Sequence, residues 1–225
     1  MTAPLRPMHP VTLDPTPAQD PVAVHVALGD RAYDIVIGRN QMATALGTRA
    51  AALKPGARAA IVTDDTVAGL HLESAEAALA AGGLATCRVV VGAGEGTKSF
   101  AGLERVCEAL IAARVERGDL VVALGGGVVG DLAGFAAAVV RRGLDYIQVP
   151  TTLLAQVDSS VGGKTAINSH HGKNLIGAFY QPILVVADTA VLDTLPPRQF
   201  RAGYAEIVKY GLLGDAGFSR GSTPT

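Results

Sequence analysis

Short apolar runs alternate with helix-length stretches along most of this chain, and that alternation leaves few folds open. Arg58–Thr63, Arg88–Val91, Leu120–Leu124, Tyr146–Val149 and Leu184–Ala187 are short runs, largely of branched or small apolar residues. Runs of this kind belong in a parallel sheet, where both faces of each strand are covered. Between them lie helical stretches. One is Ala-rich and runs through about Ala81; another is Ser99–Val115, with Leu103, Val106, Cys107, Leu110 and Ile111 on one face. Upstream, Val22–Leu28 and Tyr33–Ile37 flank Gly29-Asp30-Arg31 and predict an N-terminal hairpin. The class expected is α/β, with a mostly parallel sheet covered on both sides.

Leu120–Val140 is nearly uncharged and long enough to span a bilayer. It contains Asp131 and three consecutive glycines, so strand, turn and helix fit it better than a membrane span. Gly125-Gly126-Gly127-Val128-Val129-Gly130-Asp131 has the form GxGxxG at that strand-to-helix turn. Glycines there let backbone N–H groups approach a pyrophosphate at a helix N-terminus, and also allow a helix simply to pack close to a strand. The domain is thus Rossmann-like, with one departure. The fingerprint ordinarily follows the first strand, whereas here two strand–helix units precede it. An acidic ribose partner would then lie upstream, and Asp64, at the end of an apolar strand, is the candidate; helix N-cap is its other reading. Gly92-Ala93-Gly94-Glu95-Gly96-Thr97-Lys98 is a second glycine-rich loop, either wrapping a ligand with Glu95 and Lys98 or serving as a plain connection. The net charge is -1, which offers no broad basic field to nucleic acid or an anionic membrane. An anionic ligand must therefore be held by a few placed cations and amides.

Val149–Asn174 is dense in Thr, Ser, Asp, Lys and Asn among glycines, and reads as a polar loop region. Lys164 and Lys173 follow glycines in a lysine-poor chain; they are solvated surface, or they hold a phosphate or carboxylate as point charges. His170 and His171 are adjacent, and neighbouring residues seldom aim at one ion, so they are poor metal ligands. Glu206 and Lys209 lie three apart on the helix expected over Gln199–Leu213, where an exposed ion pair is the simple reading. Cys87 and Cys107 form no CxxC pair and suggest neither a disulfide framework nor a zinc cluster, so a reducing cytosol is expected. Residues 1–21 are proline-rich and predict a flexible leader. Residues 22–197 form the α/β domain, and 198–225 hold one helix and an irregular tail with no later apolar pattern for that helix to pack against.

The segments LGGGVVGDLAGFAA, RRGLDYIQVPTTLLAQVDSSVGGKTAIN, GKNLIGAFYQP and AEIVKYG resemble, in order and spacing, the motifs of the 3-dehydroquinate synthase family. The similarity runs from roughly Val22 to Gly217. The second and third segments separate this family from the glycerol and iron-dependent alcohol dehydrogenases, which resemble it mainly around the triple glycine. The resemblance implies conversion of a phosphorylated sugar acid, 3-deoxy-arabino-heptulosonate 7-phosphate, to 3-dehydroquinate and phosphate in the shikimate pathway. It implies tightly held NAD, a divalent metal (zinc or cobalt), a cytoplasmic homodimer, and no nucleic-acid or membrane partner.

By the same resemblance Asp64 meets the adenosine ribose, and Ala93, Gly94, Glu95, Gly96, Thr97 and Lys98 contact the cofactor. Gly127, Val128, Val129, Gly130 and Asp131 cradle its pyrophosphate. Thr151, Thr152, Asp158, Val191, Leu192, Asp193 and Thr194 hold it further, as do Lys164 and Lys173, which with Asn174 match the junction of cofactor and substrate. Lys164, Asn174, Lys209 and Arg142 are the catalytic set, Arg142 reaching a neighbouring subunit's phosphate site. Glu206 matches the first metal ligand. The family continues into a helical domain carrying two histidine ligands, which this chain lacks, so a truncated form is expected. Catalytic zinc takes about three protein ligands, and a chain with one is expected to bind NAD weakly or not at all and not to turn over. A related polyol dehydrogenase, another sugar-phosphate cyclase, or a non-catalytic nucleotide-binding fragment are the competing readings.

Overall fold

The computed structural model describes residues 20–213. The leader expected over most of 1–21 and the tail expected after the last helix therefore lie outside the described residues. A seven-stranded sheet forms the centre. Its strands in chain order are β1 (Val22–Val26), β2 (Tyr33–Gly38), β3 (Arg58–Asp64), β4 (Ala85–Val91), β5 (Leu120–Gly125), β6 (Asp145–Pro150) and β9 (Leu184–Asp188). Two further strands, β7 (Lys164–Ser169) and β8 (Gly172–Phe179), form a separate antiparallel hairpin. The order across the large sheet is β1-β2-β9-β6-β5-β3-β4. Only β1–β2 is antiparallel; every other neighbour pair in that sheet is parallel. This is the expected Rossmann-like α/β sheet with its N-terminal hairpin.

The strands are apolar along their length because each serves two cores. Ala59 and Ile61 of β3 with Leu120, Val122 and Leu124 of β5 face α1 (Gly47–Leu53) and α3 (Glu73–Ala81). The intervening Ala60, Val62, Val121 and Ala123 face α4 (Phe100–Ala112) and α5 (Gly127–Val139). The period of two along a strand thus becomes two layers of packing. On α4, Val106 and Leu110 are buried and Leu103 and Cys107 partly so. Ile111, expected on the same face, is exposed because it sits on the flank of the stripe that meets the sheet. Between β3 and α3 the helix starts as α2 (Asp65–Val67) and passes through a π-helical turn at Ala68–Leu72.

One expectation needs correction. The polar stretch read as loop contains the β7–β8 hairpin, which packs on α5 where Gly134 has no Cβ; one built there would stand 2.5 Å from Thr165 Cγ2. The last helix, α6 (Pro197–Leu212), docks on an upstream element, the turn Ala155–Ser159. Gly203 makes this possible, since a Cβ there would lie 2.5 Å from the backbone N of Leu154. Among the described residues no helix is long and apolar enough to cross a membrane.

Candidate active site

Strand order places the site. The chain goes from β3 outward to β4, then returns to lay β5 on the other side of β3. Ligand crevices in such sheets form where the order reverses, beyond the carboxyl ends of the strands. Here those ends are Asp64 on β3 and Gly125 on β5. Gly126 is the N-cap of α5 and supplies no capping side chain, so the first amides of α5 point into the crevice uncapped. Behind them, Thr152 Cγ2 and Ser159 Oγ would lie about 3 Å from a Cβ placed on Gly126 or Gly127. Thr151, at the end of β6, is buried and its hydroxyl has no hydrogen-bond partner among the described residues, whereas Thr152 accepts from the Ala155 amide at 3.1 Å.

Beside this turn a cavity of about 460 Å³ opens, walled by Asp131, Asp158, Ser159, Lys164, Asn174 and Phe179 among others. A buried polar knot closes its floor. Lys98, 4% exposed, donates from Nζ to Asp131 Oδ2 and to Asn174 Oδ1. Burial pushes the Asp131 carboxyl above the usual carboxylate range, and the Lys98 ammonium opposes that shift. Glu95 is drawn the other way, below its ordinary value, first by the hydrogen bond from Asn168 and then by the charges of Lys173 and Lys98. The loop Ala93–Lys98, the start of α5 and the hairpin are thus joined at one point.

The other sequence-derived candidates fall in different places. Asp64 caps α2, accepting from the Val67 amide at 2.9 Å, so the N-cap role is realised at this strand end. Lys173 lies outside the cavity wall, with Nζ 3.6 Å from Glu95 Oε1. Val191 is buried in the core, so it can offer a ligand only backbone; Leu192 is half-buried beside it. Asp193 ion-pairs with Arg39, and Thr194 meets His71 at 3.0 Å. On α6, Glu206 and Lys209 pair with each other, and Glu206 holds the Lys209 ammonium above its ordinary value. The neighbouring Tyr210 hydroxyl donates to Asp158 Oδ1 at 3.3 Å, which ties α6 to the cavity rim. Arg142 sits past the far end of α5, on the order of 15 Å along the chain's path from Asp131. It is exposed, at φ 65, and the structure does not bring it to this chain's own cavity. Among the described residues no group of three or more His, Cys, Asp or Glu is gathered that could hold a metal ion.

Residue-by-residue reading missed Ser159, Phe179 and Asn168. The signal available was the alternation Thr165-Ala166-Ile167, a short strand pattern obscured because its turn is His170-His171 rather than an Asn-Gly type.

The architecture has solved counterparts. It superposes on 2-deoxy-scyllo-inosose synthase, a structure complexed with carbaglucose-6-phosphate, NAD+ and Co2+, with a TM-score of 0.76 and 31% identity, over 84% of this chain and 51% of that one. It also matches 2-epi-5-epi-valiolone synthase from Streptomyces hygroscopicus subsp. jinggangensis, bound to NAD+ and Zn2+, with a TM-score of 0.72 and 36% identity, over 79% and 48% of the two chains. An NADH-dependent butanol dehydrogenase from Thermotoga maritima shares the fold alone, at 17% identity and a TM-score of 0.63. Sheet and crevice thus define a Rossmann-like domain of the sugar phosphate cyclase type. The chain belongs to the 3-dehydroquinate synthase family, whose N-terminal family model matches residues 88–202. The 3-dehydroquinate synthase of Bradyrhizobium sp. is 71% identical over 199 residues, covering 88% of this chain and 52% of that protein. That of Nitrobacter hamburgensis is 71% identical over 204 residues, covering 91% and 53%. The chain spans about half the length of the curated relatives it matches.

Proposed function

We propose that residues 22–197 are the NAD-binding domain of a cytoplasmic, homodimeric 3-dehydroquinate synthase, and that α6 begins its second domain. The reaction is conversion of 3-deoxy-arabino-heptulosonate 7-phosphate to 3-dehydroquinate and phosphate. The carrying observation is the junction itself: Asp131, in the first turns of α5 just after the glycines, lines one cavity with Lys164 and Asn174, and Ser159 of the same wall would stand 2.9 Å from a Cβ on Gly127.

The residues fit a dinucleotide. Uncapped amides of α5 face the crevice, no Cβ projects from Gly126 or Gly127, and the orphaned Thr151 hydroxyl offers a buried hydrogen bond. Asp64, Ala93–Lys98 and Val191–Thr194 surround the same crevice in this reading. When bound, NAD would supply a reversible acceptor for the hydride on C5, whose hydroxyl loses its proton to become a ketone; the ketone acidifies the neighbouring hydrogen and makes phosphate elimination feasible. Lys164 offers a point charge to the substrate's anionic group. Asp158, held at the rim by Tyr210, and Asn174 orient polar groups beside it. In this reading Arg142, which does not line this chain's own cavity, serves a neighbouring copy, as the family resemblance implies.

The metal fits less well. Glu206 is a single carboxylate paired with Lys209, and among the described residues no group of three or more His, Cys, Asp or Glu gathers around it. Glu206 is one candidate ligand where catalytic zinc takes about three, so the described residues do not complete a zinc site by themselves.

Titration with NAD+ followed by NMR tests the reading. Saturable shifts, up to millimolar nucleotide, are expected at Gly125–Asp131, at 93–98 and at Thr151; no shifts there would sink it. Phosphate release from the heptulosonate phosphate by metal-supplemented chain would mean that the site needs no ligand beyond these residues, while leaving the family intact. Net NADH release with a simple alcohol would favour a dehydrogenase instead.

A further inference from the structure

The β7–β8 hairpin is irregular at one place. Lys164 pairs with Phe179, Thr165 with Ala178, Ala166 with Gly177 and Ile167 with Ile176, but Ser169 then faces Gly172. Continuing the first register would have put Ser169 opposite Asn174. Asn168 alone therefore stands across from Lys173, Asn174 and Leu175, a bulge on β8. Bulges near active sites re-aim side chains. This one turns Asn174 to φ 59 and sends its carboxamide to Lys98 and the Lys173 ammonium toward Glu95.

Asn168 directs its backbone amide and both ends of its carboxamide to this bulge and to the loop below it. Its backbone amide donates to Lys98 O at 2.9 Å. Its Nδ2 donates to Glu95 Oε1 at 2.8 Å, and its Oδ1 accepts from the Asn174 amide at 3.0 Å. The chemistry fixes which way the carboxamide points, because a carboxylate can only accept and an amide N–H can only donate. No other side chain of this length presents one donor and one acceptor in a rigid plane. Aspartate would face Glu95 with a like charge, and alanine would leave the Asn174 amide unheld.

We propose that Asn168 is a positioning residue that locks the bulge carrying Lys173 and Asn174 onto the loop Ala93–Lys98, so setting where the cofactor loop and the cavity wall meet. Its effect on nucleotide binding rests on the NAD-binding reading above; its effect on the bulge does not.

The test compares the wild-type chain with Asn168→Ala and Asn168→Asp, with His170→Ala as an exposed control on the same turn. Amide exchange by NMR at Asn174 and at 94–98 is the first readout, and NAD+ affinity the second. Both Asn168 variants should raise exchange at those amides and weaken NAD+ binding roughly tenfold at pH 8. Asn168→Asp carries the signature of positioning. Its new carboxylate faces Glu95, with Lys98 and Lys173 nearby, Asp131 behind Lys98, and His170 and His171 on the turn. Near pH 5 the pair can share a proton, restoring an O–H donor, so its exchange and affinity should move back toward wild type measured at the same pH. Asn168→Ala should stay impaired throughout. Unchanged exchange at Asn174 and 94–98 in both variants, or a pH-independent defect in Asn168→Asp, overturns the proposal. If Asn168→Ala does not fold, Asn168→Asp near pH 5 against pH 8 decides alone. Wild-type chain that ignores NAD+ defeats the functional reading, and the exchange data still decide the role of Asn168.

Discussion

The turn from β5 into α5 and the helix α6 both carry residues assigned to the reaction, and they are built in opposite ways. Every residue of β5 is buried, and α5 lies between the sheet and the β7–β8 hairpin with seven buried positions. On α6 only Gly203 is buried, while Phe200, Tyr204, Val208 and Leu212 are exposed. The first region is fixed by the core whether or not a ligand is present. The second is held by one close contact at Gly203 and by the Tyr210–Asp158 hydrogen bond. The nucleotide half of the proposed site is thus preorganised, and the half bearing Glu206 and Lys209 is positioned only by what touches α6.

Removing core packing under the glycine turn should break the comparison most. Leu124 is fully buried immediately before Gly125. Leu124→Ala should cost about 2–5 kcal/mol, through lost burial and the cavity left behind. Urea unfolding followed by circular dichroism measures it. A cost near that of a surface change would mean that the turn is not held by the sheet.

A smaller and local effect is expected at the other region. Gly203→Val places a side chain against Leu153 Cβ and the Leu154 backbone, and overpacking of this kind costs about 1–3 kcal/mol. The loss should appear as faster amide exchange along α6, with β5 and α5 unchanged. If protection falls equally in β5, the two regions are one cooperative unit and the contrast drawn above fails.

The same contrast explains what could be read from sequence. Buried parallel strands announce themselves, because a run as uniformly apolar as Leu120–Leu124 needs cover on both faces, and Gly125–Gly127 ends it well short of a membrane span. Asp64 could not be settled, because a carboxylate at a strand end suits a helix cap and a ribose equally; the structure uses it as a cap. The β7–β8 hairpin stayed hidden for a physical reason. Its strands are half-exposed, its turn lacks the residues that favour a tight hairpin, and its register is set by contacts to α5 and to Lys98 rather than by its own alternation. The docking of α6 is equally silent in the sequence, since a single glycine facing Leu153 leaves no periodic trace.

The smallest effect should come from Leu212, which is 81% exposed at the end of α6. An exposed leucine that touches little contributes little to folding, so Leu212→Ser should change stability by no more than about 0.5 kcal/mol. Its consequence should lie between molecules. The exposed apolar positions of α6, Tyr204, Val208 and Leu212 among them, favour association between molecules. Sedimentation velocity should therefore show less self-association for Leu212→Ser, at unchanged urea midpoint. A fall in stability above about 1 kcal/mol would mean that Leu212 is covered by something in the folded chain. In that case α6 would be anchored at its end as well as at Gly203, and its share of the site would be as preorganised as the glycine turn.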